Sequence, residues 1–336
     1  MVSTDTLLRG SKRYMQAIAS YGREDVIDQV KSHTLAEEHG AMGKYPMLVT
    51  EKYVICVSKF IIALDELEMF DITPVGMYAF PIVTAADNKG SIYRVRVLIN
   101  AQAQKNILSA VSARAIYTIK DYSPENQIDY KRRHAEEMLQ NARELMSGRT
   151  LPRYKSSSLQ HNRFIYPTIL MTVCGFLYLA RLIDAEKVSQ VVAIILVCCF
   201  FFGFAITFIV MGIKRKKRFK EQIGGDTEEV IAEINDRLVY APDIRTKRGV
   251  LVTSKYLILI GECLLRREDV VFFYTYTHKS NENICVGDKD GIRYNISVRN
   301  YCHDWESEEA VIGSLLPNAV VGNTEENRKY FEQFKA

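Results

Sequence analysis

Two kinds of hydrophobic patterning alternate along this chain. In the middle lie two long uncharged stretches, Phe164–Ala180 and Val188–Ile213, separated by the polar patch Arg181–Lys187. On either side the apolar residues come in short runs of strand length. The clearest run is near the C-terminus, where Ile292, Tyr294, Ile296 and Val298 alternate with Arg293, Asn295, Ser297 and Arg299. Period two is the signature of a half-buried strand. Just before it, Asp288-Lys289-Asp290-Gly291 supplies a glycine where a tight hairpin needs positive φ, as Asp87-Asn88-Lys89-Gly90 does earlier. Read this way, the chain is expected to form strands at 47–50, 52–59, 60–64, 67–73, 78–85 and 91–99. A second set is expected at 249–253, 255–261, 263–267, 270–278, 283–287 and 291–298. Short amphipathic helices open the sets around Asp25–Lys31 and Thr227–Leu238, and further helices close them near Gln102–Ala113 and Asp304–Leu316. One long polar helix is expected over Ser123–Met146, with Ser123 as N-cap, Pro124 at the first helical position and Met138, Ala142 and Met146 as its apolar stripe. Ser147–Asn162 is a linker by composition.

Crossing a ~30 Å hydrocarbon core takes ~20 apolar residues, with a range of roughly 17–25. The second stretch meets this outright. The first meets it once Leu182 and Ile183 are included and Arg181 snorkels to the interface. The pattern predicts a two-helix transmembrane hairpin, with spans at 164–183 and 191–213 and an external loop at 184–190. Orientation follows from charge, because cytoplasmic flanks carry excess Lys and Arg. Arg149, Arg153, Lys155 and Arg163 precede the first span, and Lys214, Arg215, Lys216, Lys217, Arg218 and Lys220 follow the second. The patch between them is neutral. The expectation is a multi-pass protein of the cell membrane with both termini cytoplasmic. The opening MVSTDTLLRGSKRYMQ has no apolar core region, so no secretory signal is expected there.

The chain also repeats itself. Residues 48–55 read LVTEKYVI and residues 251–258 read LVTSKYLI, with six of eight positions identical. In the same register Phe60-Ile61-Ile62 meets Cys263-Leu264-Leu265, Asp65-Glu66 meets Glu268-Asp269, and Met69-Phe70 meets Phe272-Phe273. Upstream, Asp25-Val26-Ile27 matches Glu229-Val230-Ile231. Downstream, Gly90, Tyr93, Val95 and Val97 match Gly291, Tyr294, Ile296 and Val298. Offsets stay between 201 and 204. That points to a duplicated domain, because solenoid units run only ~20–50 residues. Short strands capped by a helix suggest a small antiparallel sheet curled into a partly open barrel. The phrase LVTxKY, an apolar strand and then an acidic pair resembles the pleckstrin-homology-like (PH-like) superfamily. The version it is similar to is a bacterial membrane protein family with duplicated PH-like cytoplasmic domains flanking a transmembrane hairpin. The likeness covers roughly 22–126 and 225–327. It implies an α+β membrane protein in which each of two PH-like barrel or sandwich domains is closed by a C-terminal helix. It also implies a class of role, the binding of lipid, peptide or protein partners, and it carries over no site residue. The implied organisation is an N-terminal helix (1–21), a first copy (22–122), a helix and linker (123–163), the hairpin, and a basic helix with the second copy (214–336).

Chemistry is sparse. There is no GxxxxGK[ST] or GxGxxG loop, no HExxH and no GxSxG. The six histidines are dispersed, and the seven cysteines show no CxxC spacing. His303-Asp304-Trp305-Glu306 reads as a helix start, and Asp288–Gly291 reads as a hairpin turn without the glutamate of a calcium loop. No catalytic residue, metal site or cofactor is expected, and cysteine usage fits a reducing compartment. A net charge of +4 does not point to nucleic acid. Two groups of residues stand out. The run Lys214, Arg215, Lys216, Lys217, Arg218 and Lys220 is a stop-transfer anchor and a candidate contact with anionic lipid, at ~1 kcal/mol per basic residue. Thr168, Thr172 and Gly175 on one span, and Cys199, Gly203 and Thr207 on the other, are small residues at spacings of three and four. Such residues let helices approach in lipid, either within the hairpin or in a homo-oligomer. The expected function is a non-enzymatic integral membrane protein that presents two binding or scaffolding domains to anionic lipid or an unknown protein partner. The alternative is a regulatory subunit of a transporter or oligomeric channel.

Overall fold

The repeated phrase is apolar on either side of its polar turn because the strands it forms there are covered on both faces. The computed structural model describes residues 4–38, 46–75, 79–115, 121–147, 165–181, 188–223, 227–242, 249–260, 262–278, 281–298 and 305–335. Its helices are α1 (Thr4–Leu7), α2 (Lys12–Tyr21), α3 (Arg23–Ser32), α4 (Ala101–Arg114), α5 (Pro124–Arg133), α6 (Ala135–Met146), α7 (Ile165–Ala180), α8 (Val188–Ile223), α9 (Thr227–Arg237), α10 (Trp305–Ser314) and α11 (Glu325–Glu332). The strands are β1 (Thr34–Glu38), β2 (Met47–Thr50), β3 (Tyr53–Cys56), β4 (Phe60–Ala63), β5 (Leu67–Val75), β6 (Ala79–Asp87), β7 (Ile92–Arg96), β8 (Leu238–Tyr240), β9 (Val250–Thr253), β10 (Tyr256–Leu259), β11 (Cys263–Arg266), β12 (Val270–His278), β13 (Asn281–Asp288), β14 (Arg293–Val298) and β15 (Val320–Val321). The result is a mixed α+β protein with several antiparallel sheets and one long apolar helix. It divides into two compact units, Met1–Ser147 with Arg267–Ala336, and Gly148–Arg266.

In the first unit β1 to β4 pair in chain order, and β2, β3 and β4 are buried throughout. Val49, Val54 and Phe60 face one core, shared with Phe70, Val83 and Val95 of the β5-β6-β7 sheet and with Ile107 and Val111 of α4. Leu48, Ile55 and Ile61 face a second core, closed by Tyr14 and Ile18 of α2 and Val26 of α3. Burying each such side chain stabilises the fold by roughly 1.5–3 kcal/mol. A third sheet, β14-β13-β12-β15, completes this unit, with β15 parallel to β12. The second unit holds α7, α8, α9 and the sheet β11-β10-β9-β8.

Local geometry recurs at the repeated positions. Thr50 Oγ1 accepts from the N–H groups of Lys52 (3.3 Å) and Tyr53 (2.9 Å), and Thr253 Oγ1 accepts from those of Lys255 (3.3 Å) and Tyr256 (2.9 Å). The TxKY signature is therefore a hydroxyl-capped turn between two strands. Lys52 reaches Asp25 at 2.8 Å, and Lys255 reaches Glu229 at 3.4 Å. At the hairpins, Asp87 Oδ1 accepts from Lys89 N and Ser91 N (both 2.9 Å), and Asp288 Oδ1 accepts from Asp290 N (3.0 Å) and Ile292 N (2.8 Å). Gly90 and Gly291 both sit at φ 74°, where a side chain is strained.

Several expectations differ from what forms. The single helix over Ser123–Met146 is two helices, broken at His134 (φ −111°, ψ 24°). There the imidazole packs on the Tyr130 ring and lies 3.1 Å from Glu68. Ser123 occupies the N-cap position but makes no side-chain cap bond. Strands β1, β8 and β15 were not expected. Among the described residues only one helix is long and apolar enough to cross a membrane, the Ser189–Lys214 part of α8, and it is mostly exposed. By contrast, α7 has 16 residues, about 24 Å at 1.5 Å per residue, and Arg181 follows it in a 3₁₀ turn. Leu182 and Ile183, needed to lengthen it, lie outside the described residues.

Candidate functional site

α7 and α8 pack along a seam set by shape. Gly175 on α7 is buried, and a Cβ there would come 2.8 Å from the Phe202 ring. The buried Cys198 thiol donates to Gly175 O at 3.5 Å. On α8 the covered positions Cys198, Phe202, Ala205 and Gly212 recur at spacings of three to seven, a helical stripe. Thr168 and Thr172 flank Gly175 half-buried, with the Thr172 hydroxyl donating to Thr168 O at 2.8 Å. The expected partners on the other helix are not on this seam. Cys199, Gly203 and Thr207 are exposed, nothing lies within 4 Å of a Cβ built on Gly203, and the Thr207 hydroxyl bonds back to Gly203 O at 2.8 Å. The facing stripe is one residue round the helix, because the Phe202 ring fills the space that Gly175 leaves. Outward-facing Leu170, Phe176, Leu177, Leu196, Phe200 and Ile206 make an apolar surface far larger than single exposed residues need.

Beyond its apolar part α8 continues without a break to Ile223 and packs on β11. Phe219 is buried, and Gln222 Oε1 accepts from Leu264 N at 3.0 Å. α2 packs on β4 in the first unit with Tyr14 buried, its hydroxyl donating to Leu7 O at 3.0 Å. Lys12-Arg13-Tyr14 and Lys217-Arg218-Phe219 are thus comparable sequence marks of a sheet-covering helix, a signal legible in the chain but missed. Of the basic run, Lys214 and Lys217 are exposed, with Lys217 3.8 Å from Glu221. The side chains of Arg215, Lys216, Arg218 and Lys220 lie outside the described set.

A polar cluster is buried inside the first unit. Arg94 of β7 pairs with Glu309 of α10, and both are buried. Glu309 also accepts from Thr275 N (2.6 Å) and Oγ1 (2.5 Å). Lys131 of α5 donates to the carbonyls of Leu316 and Ala319 beyond the end of α10. Burial, then the charge of Arg94, lowers its pKa to about 7. Gln127 accepts from Val321 N at 2.7 Å and donates to Asn327 at 3.3 Å. These side chains face one another and the backbone, with no nucleophile set against a base, so the cluster is mortar between elements. On the outer face the Tyr21 and Tyr53 hydroxyls bond to Glu66 (2.5 Å) and Asp25 (2.6 Å). Burial and these carboxylates raise both tyrosine pKa values, so they stay neutral donors. Among the described residues no group of His, Cys, Asp and Glu is arranged to hold a metal.

Among the described residues an open groove of about 580 Å³ lies between strand β1 and helix α4. β1 contributes Leu35, Ala36, Glu37 and Glu38, and α4 contributes chiefly short side chains such as Ala103 and Ala110. Asn100 caps α4 at the groove's end, its Oδ1 accepting from Ala103 N at 2.8 Å. Leu35 also borders a smaller recess of about 340 Å³ beside α3.

Comparison of the chain with protein-family models, curated proteins and solved structures finds no match.

Proposed function

We infer that this chain is a non-enzymatic membrane protein that presents two PH-like binding domains on the cytoplasmic side of the cell membrane. The observation that carries this reading is α8, which runs unbroken from an exposed apolar span to an end that packs on β11, where Phe219 is buried and Gln222 accepts from Leu264 N. A helix of this kind ties a folded domain rigidly to the bilayer. The recurring Thr-capped turns and Asp-capped hairpins support the duplication, and the positive flanks support cytoplasmic termini. The apolar surface of α7 supports its burial in lipid as the first arm of a hairpin. Cell fractionation tests the placement, with the chain expected in the carbonate-resistant membrane pellet. An impermeant maleimide should label Ala185→Cys in intact cells, and terminal cysteines only after lysis. A soluble chain would overturn the membrane reading, and an external C-terminus would overturn the hairpin.

The alternative, a regulatory subunit of a transporter or oligomeric channel, is favoured by one placement. Cys199, Gly203 and Thr207 face away from α7, where a second copy could pack in lipid. Copper-phenanthroline oxidation of native membranes is then expected to give a disulfide-linked dimer that Cys199→Ser abolishes. Monomer in both cases removes the support for this alternative.

A further inference from the structure

We propose that the face of the β14-β13-β12 sheet marked by Tyr274, Tyr276, Arg293 and Asn295 binds an acidic amphipathic helix of a partner protein. The site rests on the reading of the chain as a binding protein and does not depend on its placement in the membrane.

The repeat gives the first unit two sheets in one register. Met69, Ala86 and Ile92 form a row across β5, β6 and β7, and Asp71, Thr84 and Arg94 form the next. The matching rows across β12, β13 and β14 are Phe272, Gly287 and Arg293, then Tyr274, Cys285 and Asn295. In the first sheet this face is closed. Tyr130, Met138 and Ala310 pack on Met69, Ala86 and Ile92. Helix α10 packs on β7, and its Glu309 pairs with the buried Arg94. The second sheet has only part of that cover. Phe331 takes the place of Tyr130, stacked on Phe272 and lying against Gly287. Among the described elements no helix packs on β14 as α10 packs on β7. Arg293 and Asn295 are exposed, and Tyr274 and Tyr276 are half-buried.

Side-chain chemistry selects the occupant. The Arg293 guanidinium lies over the rings of Phe331 (5.1 Å) and Phe272 (5.7 Å) and pairs with no carboxylate among the described residues. A guanidinium held on aromatic rings is pre-organised for a carboxylate, which it can grip with two parallel N–H bonds. The Tyr276 hydroxyl and the Asn295 amide also have no hydrogen-bond partner among the described residues. Neither row of the second sheet carries Asp or Glu, so the face attracts acid and repels base. Tyrosine and arginine are the side chains that most often carry binding energy at interfaces. A helix is the occupant with a precedent in this chain, because α10 brings a glutamate and a small alanine to the equivalent face of the first sheet. An anionic bilayer fits less well, since its attraction needs a cluster of basic residues and this face offers one arginine.

The probe is a stapled, fluorescein-labelled helical peptide with the α10 sequence WESEEAVIGS, an acidic helix that this chain itself lays against a sheet. Titration with the full chain in detergent, read by anisotropy, is expected to saturate, and a peptide with Lys in place of Glu should not bind. Asn295→Glu, at an exposed position, should weaken binding at least tenfold. Arg293→Glu should weaken it as much and should gain binding of the Lys peptide. The proposal is overturned if the acidic peptide does not saturate, if the Lys peptide binds the parent equally, or if Asn295→Glu and Arg293→Glu both leave binding unchanged. A dimer of the peptide-free chain that Asn295→Glu dissociates would make a second copy the occupant and would also overturn it. So would Arg293-dependent binding of dihexanoyl phosphatidylglycerol in place of the peptide. Peptide binding by a chain that fractionates as soluble would support this site and sink the membrane reading alone.

Discussion

Lys131 is the residue whose burial has the most measurable consequence. Its folded pKa is lowered from 10.5 to about 7 by loss of water and by the charge of Arg94. Between those values the unfolded chain binds the extra proton and the folded chain does not. Stability therefore rises with pH over that window, by up to about 1.4 kcal/mol per pH unit. Below pH 7 both states hold the proton and this group's slope vanishes. Lys131→Met keeps the length and removes the titration. Melting temperatures in detergent at pH 7, 8 and 9 are expected to climb more steeply for the parent than for the variant, and parallel curves would contradict the assignment. The other titrating groups of the chain are common to both proteins, so the difference isolates Lys131. Its neighbour Arg94 carries a related lesson about legibility. Nothing in IYRVR marks that arginine as buried, because its partner Glu309 lies more than two hundred positions away.

At the scale of elements, legibility tracks how local the determining physics is. The strand after each Asp-capped turn lies where alternation and the glycine place it, since both signals sit within the strand and its turn. β1 was missed because TLAEE has little strand propensity and two carboxylates, and it becomes a strand only when β2 pairs with it. The break at His134 was equally opaque. A continuous helical pattern runs through it, and the interruption is decided by contacts with Tyr130 and Glu68. The groove inherited this blindness, as one of its walls is β1. The C-terminal end of α8 offers the sharpest test at this scale. Phe219→Ala removes the buried ring of this helix end, which packs on β11, and should cost about 3–5 kcal/mol locally. Hydrogen exchange at Leu264, whose N–H donates to Gln222, is expected to speed up by an order of magnitude or more, while β2 to β4 stay protected. Unchanged exchange at Leu264 would mean that the helix end is held by something other than Phe219.

At the scale of the whole molecule, the compact units do not follow the repeat. The boundary at Arg266/Arg267 falls inside the second copy, because β12–β15, α10 and α11 share Glu309, Leu316, Val321 and Asn327 with Arg94, Lys131 and Gln127. Repeats reveal which segments share a local design, whereas such cross-contacts depend on side chains that differ between the copies. Electrostatics at the membrane surface belongs to this scale too, and it separates two roles for the basic run. If Lys214–Lys220 only stops translocation, changing Lys216, Lys217 and Lys220 to Gln should alter nothing, since Lys214, Arg215 and Arg218 keep the positive-inside bias. We propose that the run also holds the end of α8 down on acidic lipid, where three lost charges remove about 3 kcal/mol of attraction. The triple variant in phosphatidylglycerol liposomes is then expected to be cut faster by Glu-C protease after the exposed Glu221. High salt should produce the same acceleration in the parent, because attraction across solvent decays within a Debye length of ~8 Å at physiological ionic strength. Neutral liposomes should erase the difference between parent and variant. Equal cleavage of both proteins in anionic liposomes would leave the run with its anchoring role alone.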